Sequence, residues 1–360
     1  MYAVMKKHFT KIISVLLIAV MAMMFVACGD EALENSGETQ TAEFSFNYWN
    51  KCDALTSLKS YVTDVTDKKS ENFIPVADRI AVFDMDGTLY GELFPTYLEY
   101  LLMAYRCLDD ENYTADEDVK EVARTIRECS LTGSFPSDMP IKHALGQAKA
   151  FAGLTPKEFE DYVKEFLKQT PAGFEGMTYA TAFYLPMIEV LDYLHENDFK
   201  TYIVSGSDRF ICRALASEPC NIPYEQIIGM DVKLEATGQN GKDSLDYQFT
   251  ADDKVVRTET LLIKNLKTNK VLQINQEIDK QPVLSFGNSS GDLSMHVYSI
   301  TNNKYKAEAY MLIANDEERD YGNTEKAEKL GEQWKEYGFN VISMKDDWTT
   351  IYGDGVKKSA

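Results

Sequence analysis

Two aspartates separated by a single residue follow directly after a short apolar run. The run covers residues 79–83, and its β-branched and aromatic side chains are typical of a buried strand. It continues into Asp84-Met85-Asp86-Gly87-Thr88. Because residues i and i+2 of an extended chain point to the same side, both carboxyl groups are expected to face one pocket. Two such carboxylates can act as nucleophile, acid or base, and they can bind a hard cation such as Mg²⁺.

Two later apolar runs also end in polar turns that contain glycine. Ser205-Gly206-Ser207 follows the run at 199–204, and Gly287-Asn288-Ser289-Ser290-Gly291-Asp292 follows the run at 282–286. Predicted helices alternate with these runs, which indicates an α/β fold with a parallel sheet covered on both faces. Ligands bind at the carboxyl edge of such a sheet, so we expect the polar turns to form a site there. The predicted strands are 79–84, 199–204, 282–286, 310–314 and 340–344, and the clearest helices are 187–196 and 325–337.

The segment between the first two predicted strands has a different character. Residues 92–190 are predicted to form a mainly helical cap over the carboxyl edge of the sheet. Within it, residues 95–108 are predicted to form an apolar helix, and Thr155-Pro156-Lys157-Glu158 is a capping box with proline in the first turn of another helix. Residues 46–91 and 191–355 are therefore assigned to the core.

A second and smaller insertion is predicted at about 228–266, within the second part of the core. Short apolar runs at 231–234, 247–249 and 255–256 alternate there with polar turns. This pattern favours a small β-rich insertion, which we expect to be a β-meander.

Composition and charge exclude several classes of protein. The chain is 44% hydrophobic and 12% aromatic, as expected for a folded globular protein. Its formal net charge of −20 repels phosphate backbones, so no nucleic acid is expected among its partners. The chain has six cysteines, one of them Cys28; the other five are an odd number and include no C-x-x-C pair. We therefore predict neither a disulfide framework nor a zinc knot.

The first residues have the pattern of a targeting segment. Lys6, Lys7 and Lys11 precede an apolar run at 12–26 that is short for a membrane span. The run ends in Ala27-Cys28-Gly29, which resembles a bacterial lipoprotein signal. The resemblance implies a signal peptide at residues 1–27, cleavage before Cys28 and acylation of Cys28. The alternative is an ordinary secretory signal peptide in which Cys28 has no special role.

The residues that follow are predicted to connect a membrane to the folded part. Removal of residues 1–27 takes away three lysines and no acid, so the formal charge falls from −20 to −23. Residues 28–45 are polar and acidic and are predicted to form a flexible tether. We expect the lipid anchor to hold the protein in the bacterial cell envelope, at the periplasmic face of a membrane or at the cell surface.

Four polar elements occur in a characteristic order on the expected kinds of structure. The aspartate pair follows a strand, Ser205 ends a strand, Lys270 begins a helix, and Asn288 and Asp292 follow a strand. Each is a weak signal alone, but together they resemble the haloacid dehalogenase superfamily, and most closely its secreted hydrolases of the phosphoserine phosphatase type. The resemblance spans residues 49–348. Further segments that carry it are Phe73-Ile74-Pro75, Tyr184-Leu185-Pro186-Met187, Tyr202-Ile203-Val204 and Met344-Lys345-Asp346-Asp347-Trp348.

This resemblance implies a Rossmann-like core, an inserted helical cap and Mg²⁺-dependent hydrolysis of a small phosphomonoester. It implies that Asp84 is the nucleophile and forms an aspartyl-phosphate. Asp86 would protonate the leaving group and then deprotonate the attacking water. Mg²⁺ would be bound by the Asp84 carboxylate, the Asp86 carbonyl and the turn that contains Asn288 and Asp292.

The same resemblance assigns the residues that bind the phosphoryl oxygens. Ser205 and the Gly206 amide would donate hydrogen bonds, and Lys270 would add a positive charge. Other lysines lie nearby in the sequence, but Lys270 begins a plausible helix. Thr88 either binds phosphate or caps the turn after the aspartates.

Two other classes of function are compatible with these patterns. One is a dehalogenase, phosphonatase or phosphotransferase on the same fold, although Asp86 argues against dehalogenation because a halide leaves without a proton. The other is a catalytically silent surface lipoprotein that binds a partner. Acidic and aromatic residues near the start of the cap favour a substrate that bears a cation, but they also suit a solvated surface. These residues are Glu92, Glu99, Asp109, Asp110, Glu111, Tyr97, Tyr100 and Tyr105.

The predicted lipid anchor can be tested at its attachment residue. We expect mass spectrometry of the mature protein to show an N-terminal, acylated Cys28, and we expect Cys28→Ala to release the protein from membranes. The matched control is Cys129→Ala, which should leave the protein membrane-bound. A mature protein that begins elsewhere and carries no lipid would contradict this prediction.

Overall fold

A seven-stranded sheet forms the centre of the protein in a computed structural model that describes residues 44–92 and 94–359. The predicted signal peptide, Cys28 and most of the tether lie outside these residues. In chain order the strands are β1 (Ile80–Phe83), β2 (Phe174–Glu175), β3 (Lys200–Asp208), β4 (Ile227–Ala236), β5 (Val255–Ile263), β6 (Leu284–Gly287), β7 (Glu308–Ile313), β8 (Asn340–Ser343) and β9 (Lys357–Lys358). The order across the main sheet is β5-β4-β3-β1-β6-β7-β8, and β2 pairs separately with β9.

The main sheet is parallel except at one edge. Only β5 runs antiparallel, against β4. β1 lies between β3 and β6, and all four of its residues are buried. Side chains alternate between the faces of a strand, so burial of the whole strand means that both faces are covered. The predicted α/β fold is confirmed, and the end of β1 lies near the middle of the carboxyl edge.

In the part of the chain that the structure describes, ten helices surround the sheet and build the inserted region. They are α1 (Asp53–Thr66), α2 (Leu98–Leu108), α3 (Glu117–Thr132), α4 (Met139–Ala150), α5 (Pro156–Phe166), α6 (Leu185–Glu196), α7 (Arg209–Ala216), α8 (Thr268–Glu277), α9 (Leu293–Ile300) and α10 (Thr324–Glu336). On one face, Ile274 of α8 and Met295 of α9 pack against Ile80 and Val82. Among the described residues, no helix is long and apolar enough to cross a membrane.

Helices α2 to α5 follow one another between β1 and β2, where a helical cap was predicted. The capping box at the start of α5 is present, because Thr155 Oγ1 accepts from the Glu158 N–H at 3.1 Å and Glu158 Oε2 accepts from the Thr155 N–H at 2.8 Å. Helix α6 lies against β3 of the main sheet. We use "the cap" below for residues 94–183.

The predicted β-meander is only partly correct. β4 and β5 form, but they extend the edge of the main sheet, and the residues predicted as a middle strand, 247–249, lie in a loop. The Asp253 carboxylate organises this loop, since it accepts hydrogen bonds from the Gly238 N–H, the Thr250 N–H and the Tyr247 hydroxyl. These bonds to a side chain replace the strand ladder that the apolar run suggested.

A polar segment after β7 holds the C-terminal part of the chain in place. Asp316 Oδ1 accepts the backbone N–H of Arg319 at 2.7 Å, and the two side chains form an ion pair. The Arg319 guanidinium also donates to the carbonyls of Met344, Lys345 and Trp348 at 2.8, 3.1 and 2.9 Å. One arginine thus satisfies three carbonyl groups that lie outside regular secondary structure.

Removal of this arginine is expected to destabilise the fold. Arg319→Met leaves the three carbonyls and Asp316 without their donor, so we expect the free energy of unfolding to fall by about 2–4 kcal/mol. Urea denaturation measures the change. In the control Arg124→Met, an exposed pair with Glu117 is lost, and we expect a much smaller change because solvent screens this pair. Equal effects of the two changes would show that Arg319 has no special structural role.

Candidate active site

The two aspartates lie at the carboxyl end of β1, in the middle of the sheet. The Asp84 N–H donates to the Phe286 carbonyl of β6 at 2.9 Å, so the chain is still held in the sheet at this residue. Asp84 is buried, and Asp86 is half-buried two residues later. The turn continues through Gly87 with a φ of +77°, and a Cβ there would lie 1.9 Å from Asn288 Nδ2. Glycine therefore allows the turns after β1 and β6 to meet.

A buried lysine joins two of the predicted carboxylates. Lys270 Nζ donates to Asp84 Oδ1 and to Asp292 Oδ1, at 2.6 Å in each case. Burial, aided by the Asp292 charge and opposed by Lys270, raises the pKa of Asp84 to about 7. Burial would also raise the pKa of Asp292, but the Lys270 ammonium holds it below its ordinary value. One ammonium group thus faces two carboxyl groups in a site with little solvent.

Asp86 has one partnered oxygen and one without a partner. Ser207 Oγ donates to Asp86 Oδ2 at 2.7 Å, whereas the buried Oδ1 has no hydrogen-bond partner within residues 44–92 and 94–359. Burial, followed by the charge of Asp84, raises the pKa of Asp86 to about 8. A carboxyl group with this pKa retains its proton near neutral pH, which suits a general acid.

The turn at the end of β3 is a bulge in the sheet. The pairing of β3 with β4 shifts register across residues 205–207. Ser205 is fully buried; its carbonyl accepts from Asn265 Nδ2 at 3.0 Å, and its hydroxyl accepts from the Ser207 N–H at 3.1 Å. The bulge brings Gly206 and Ser207 to the wall of a cavity above the aspartates.

The predicted phosphate-binding residues fall into two groups. Gly206 lines the cavity, but Ser205, Lys270 and Thr88 lie behind its wall. The Thr88 hydroxyl is buried and has no partner in the part of the chain that the structure describes. Sequence reasoning missed Ser207, although its i+2 spacing from Ser205 matches the spacing of the two aspartates.

The turn after β6 is organised around a carboxylate. Asp292 Oδ2 accepts the backbone N–H groups of Asn288 and Ser289 at 3.1 and 3.0 Å. Asn288 Nδ2 donates to Glu92 Oε1 at 2.8 Å, and the Tyr97 hydroxyl donates to the same oxygen at 3.2 Å. Burial raises the pKa of Glu92. Glu92, to which the sequence assigned no catalytic or metal-binding role, therefore shares a hydrogen-bonded network with a predicted metal ligand.

The oxygen atoms at this edge suit a hard divalent cation. Asp84, Asp86, Asn288 and Asp292 supply the donor type that Mg²⁺ prefers, and Asp86 Oδ1 is buried without a partner. Burial, aided by the Asp292 charge, raises the pKa of Asp84 although Lys270 opposes the shift, and a bound cation would favour the ionised form. Among the described residues, no three Asp, Glu, His or Cys side chains form a ready metal-binding group. An ion here would take further ligands from a backbone carbonyl, an amide oxygen or water.

A cavity of about 320 Å³ lies above the aspartates, between the sheet edge and the cap. Its size matches a small-molecule site. From the cap it is lined by Tyr97, Glu99, Tyr100 and Pro140, and from the core by Asp84, Asp86, Gly206, Ser207, Lys264, Leu266, Lys267, Asn288, Ser289, Ser290, Gly291 and Asp292, with Glu92 between them. A larger groove of about 780 Å³, lined by residues of α10 and β8, contains none of the predicted catalytic residues.

An ion pair between the cap and the core forms part of the cavity wall. Lys264 Nζ donates to Glu99 Oε1 at 2.8 Å. Burial would raise the pKa of Glu99, but Lys264 and His143 hold it below its ordinary value. Of the acids that suggested a cationic substrate, only Glu92 and Glu99 line the cavity. Two of the others have partners elsewhere, Asp109 with Arg127 and Asp110 with Arg106. Tyr97 and Tyr100 also line the cavity, and a cation-bearing substrate stays a prediction.

The fold and the site define a hydrolase class. Residues 79–295 match the family described as haloacid dehalogenase-like hydrolase, and the match covers more than half of the chain. The protein belongs to the haloacid dehalogenase-like hydrolases, which generally depend on Mg²⁺. None of the curated proteins compared with the chain matches it.

Several solved structures resemble the fold. A conserved, functionally unknown protein from Anaerococcus prevotii DSM 20548 is 14% identical with a TM-score of 0.50, covering 82% of this chain and 93% of that chain. A protein of unknown function from Bordetella pertussis Tohama I is 14% identical, with a TM-score of 0.45 and coverage of 74% and 98%. A phosphoserine phosphohydrolase-like protein from Francisella tularensis subsp. tularensis SCHU S4 is 13% identical, with a TM-score of 0.40 and coverage of 73% and 94%. At these identities the likeness concerns the fold alone.

The two side chains of the β6 turn are expected to differ in their effect on metal binding. Asp292 carries a full charge, whereas an amide such as Asn288 offers only a dipole to a dication. We expect Asp292→Asn to weaken Mg²⁺ binding by about 10–100-fold, and Asn288→Ala to weaken it less. Asn288→Asp should be tolerated. Calorimetric Mg²⁺ titration of the three variants gives the ranking, and a larger loss in Asn288→Ala than in Asp292→Asn would reverse it.

Proposed function

We propose that the protein is a Mg²⁺-dependent phosphatase that hydrolyses a small phosphomonoester through an aspartyl-phosphate at Asp84. The observation that carries the proposal is that Asp84 and Asp292 line the cavity and share the ammonium of Lys270 behind its wall, while Ser207 holds Asp86 two residues away. This group combines a nucleophile, positive charge and a proton donor, which are the requirements of phosphoryl transfer.

Asp84 is the proposed nucleophile because its carboxylate lies at the floor of the cavity on the last residue held by the sheet. A fixed position reduces the entropy lost when the carboxylate attacks phosphorus in line with the leaving oxygen. The Lys270 ammonium, 2.6 Å from Asp84 Oδ1, favours the ionised carboxylate and opposes burial, which raises the pKa of Asp84 to about 7. A bound Mg²⁺ would supply positive charge that offsets the repulsion between this carboxylate and a phosphate dianion.

Asp86 is the proposed general acid and base. Its pKa, raised by burial, favours the protonated form that can donate to the departing alkoxide. The Ser207 hydroxyl bonds to Oδ2, which leaves Oδ1 as the oxygen available to the leaving group. After this transfer the Asp86 carboxylate can accept a proton from the water that hydrolyses the intermediate.

The remaining parts of the substrate would contact the bulge and the cap. The backbone N–H of Gly206 lies at the cavity wall and would donate to a phosphoryl oxygen. The leaving group would lie against Tyr97, Tyr100 and Pro140 of the cap. The volume of the cavity supports a small substrate. We further propose that the enzyme is anchored through Cys28 in the bacterial cell envelope.

The nucleophile can be tested directly. Asp84→Asn preserves the shape of the side chain but removes its charge, so hydrolysis of 4-nitrophenyl phosphate should fall at least about a thousandfold while the fold is retained. The matched control is Asp252→Asn, at an exposed aspartate of the insertion, with unchanged turnover expected. Addition of EDTA should abolish activity, and Mg²⁺ should restore it.

A chemical trap distinguishes this mechanism from its alternatives. Borohydride reduces an aspartyl-phosphate to homoserine, which mass spectrometry should locate at position 84 only when substrate is present. Turnover that needs an alcohol acceptor would identify a phosphotransferase. Absence of turnover with every phosphomonoester tested would favour the silent binding protein. Near-normal turnover of Asp84→Asn would refute the proposed mechanism.

A further inference from the structure

A buried ion pair joins the end of β3 to the antiparallel edge strand. Arg257 Nη2 and Nη1 donate to the two Asp208 oxygens at 2.6 and 3.3 Å. The exposed fraction of the two side chains is 0% and 1%. Burial of two charges carries a large desolvation cost, and a hydrophobic pair is often as stable. Stability alone therefore does not explain why this position holds an ion pair.

The arginine also contacts the cap. Its guanidinium carbon lies 4.1 Å from the ring centroid of Phe159 in α5, a cation–π contact. Its backbone N–H donates to the Leu154 carbonyl at 2.9 Å, and its carbonyl accepts from the Gly153 N–H at 2.8 Å. Strand β5 is thus bonded to the loop between α4 and α5.

The aspartate contacts the cap from the other side. Gln147 Nε2 of α4 donates to Asp208 Oδ2 at 3.4 Å. Helices α4 and α5 of the cap therefore meet the Arg257–Asp208 pair, which lies where the cap, the edge strand and the end of β3 come together.

Asp208 directly follows Ser207, the residue whose hydroxyl donates to Asp86. Its Oδ1 atom accepts the Phe210 N–H at 2.9 Å and so caps α7. Ser207, one residue earlier, donates to Asp86 Oδ2 at 2.7 Å. The bulge at 205–207 interrupts the strand ladder, so the position of Ser207 depends on the fixed residue next to it.

We infer that Arg257 is a positioning residue: through its buried pair with Asp208 it holds Ser207, and thereby the proton-donating Asp86, in place beneath the cap. This inference rests on the proposed function, because it uses Asp86 as the donor to the leaving group. Arg257 is not among the residues that line the cavity, and it acts through its ion-pair partner Asp208.

A positioning role predicts an effect that depends on the leaving group. An alkoxide leaves only if it receives a proton, whereas a nitrophenolate leaves readily without one. If Arg257 positions Asp86, its loss should slow hydrolysis of alkyl esters more than hydrolysis of nitrophenyl esters. A general loss of folded protein would lower both rates by the same factor.

The experiment compares kcat/KM for 4-nitrophenyl, phenyl and benzyl phosphate in wild type, Arg257→Met and Arg257→Lys, because kcat/KM reports the step in which the ester bond breaks. For Arg257→Met we expect the loss on benzyl phosphate to exceed the loss on 4-nitrophenyl phosphate by about tenfold. Arg257→Lys should recover part of this difference. The matched control is Arg124→Met, in an exposed ion pair of the cap. It should leave kcat/KM unchanged for all three esters.

Arg257→Met alone leaves the buried Asp208 charge without a partner and risks misfolding. The double variant Arg257→Met/Asp208→Asn removes both charges, and circular dichroism and thermal unfolding establish that it is folded. The same dependence on the leaving group in the folded double variant supports the inference. An equal loss on all three esters overturns it and leaves the proposed phosphatase intact. If the wild-type protein hydrolyses none of the three esters, both the proposed phosphatase activity and the positioning role of Arg257 are contradicted.

Discussion

The contact on which the site depends is the ammonium group of Lys270, held 2.6 Å from both Asp84 and Asp292. The three side chains come from α8, the end of β1 and the turn after β6, so they meet only if β6 lies beside β1 in a parallel sheet. Their burial is costly in free energy, and the cost is partly offset because the Lys270 ammonium faces both carboxyl groups and Asp292 also accepts backbone N–H groups. The sheet order and the charges therefore constrain one another, and loss of either would separate Asp84 from the positive charge beside it.

The parts of the fold that were predictable are those whose signal is local. Strand β1 is buried on both faces, so its residues form a continuous apolar run, and the capping box at Thr155 needs only four consecutive residues. Residues 247–249 gave the same kind of apolar signal as a strand but lie in a loop, in which the Asp253 carboxylate accepts the Tyr247 hydroxyl and the N–H groups of Gly238 and Thr250. Whether an apolar run pairs as a strand or is held in a loop by a side chain depends on contacts in space. A pattern along the sequence does not contain those contacts.

In the candidate site, too, the residues that could be predicted are those with a local signal. Asp84, Asp86 and Asp292 follow strands, and the carboxyl edge of a parallel sheet brings such residues together. Ser207, Glu92 and Lys264 enter the site through a bulge, a bond to Asn288 and an ion pair with the cap. Each of these depends on contacts between residues far apart in sequence. Lys270 was expected to add a positive charge at the phosphate, and this role stays a prediction; the contacts of its ammonium with Asp84 and Asp292 depend on the packing of α8, which the sequence pattern does not contain.

The way in which the cap is attached restricts how a substrate reaches Asp84. On one side the loop at Gly153 and Leu154 is bonded to β5, and on the other the short strand β2 pairs with β9 near the C-terminus. The pair Glu99–Lys264 adds a third link beside the cavity. A lid that swings open needs a hinge and a free edge, and this cap is fastened to the core at several separated places. Rigid opening of the cap would therefore have to break hydrogen bonds or an ion pair, and the shape of the cavity of about 320 Å³ would select among the proposed phosphomonoester substrates.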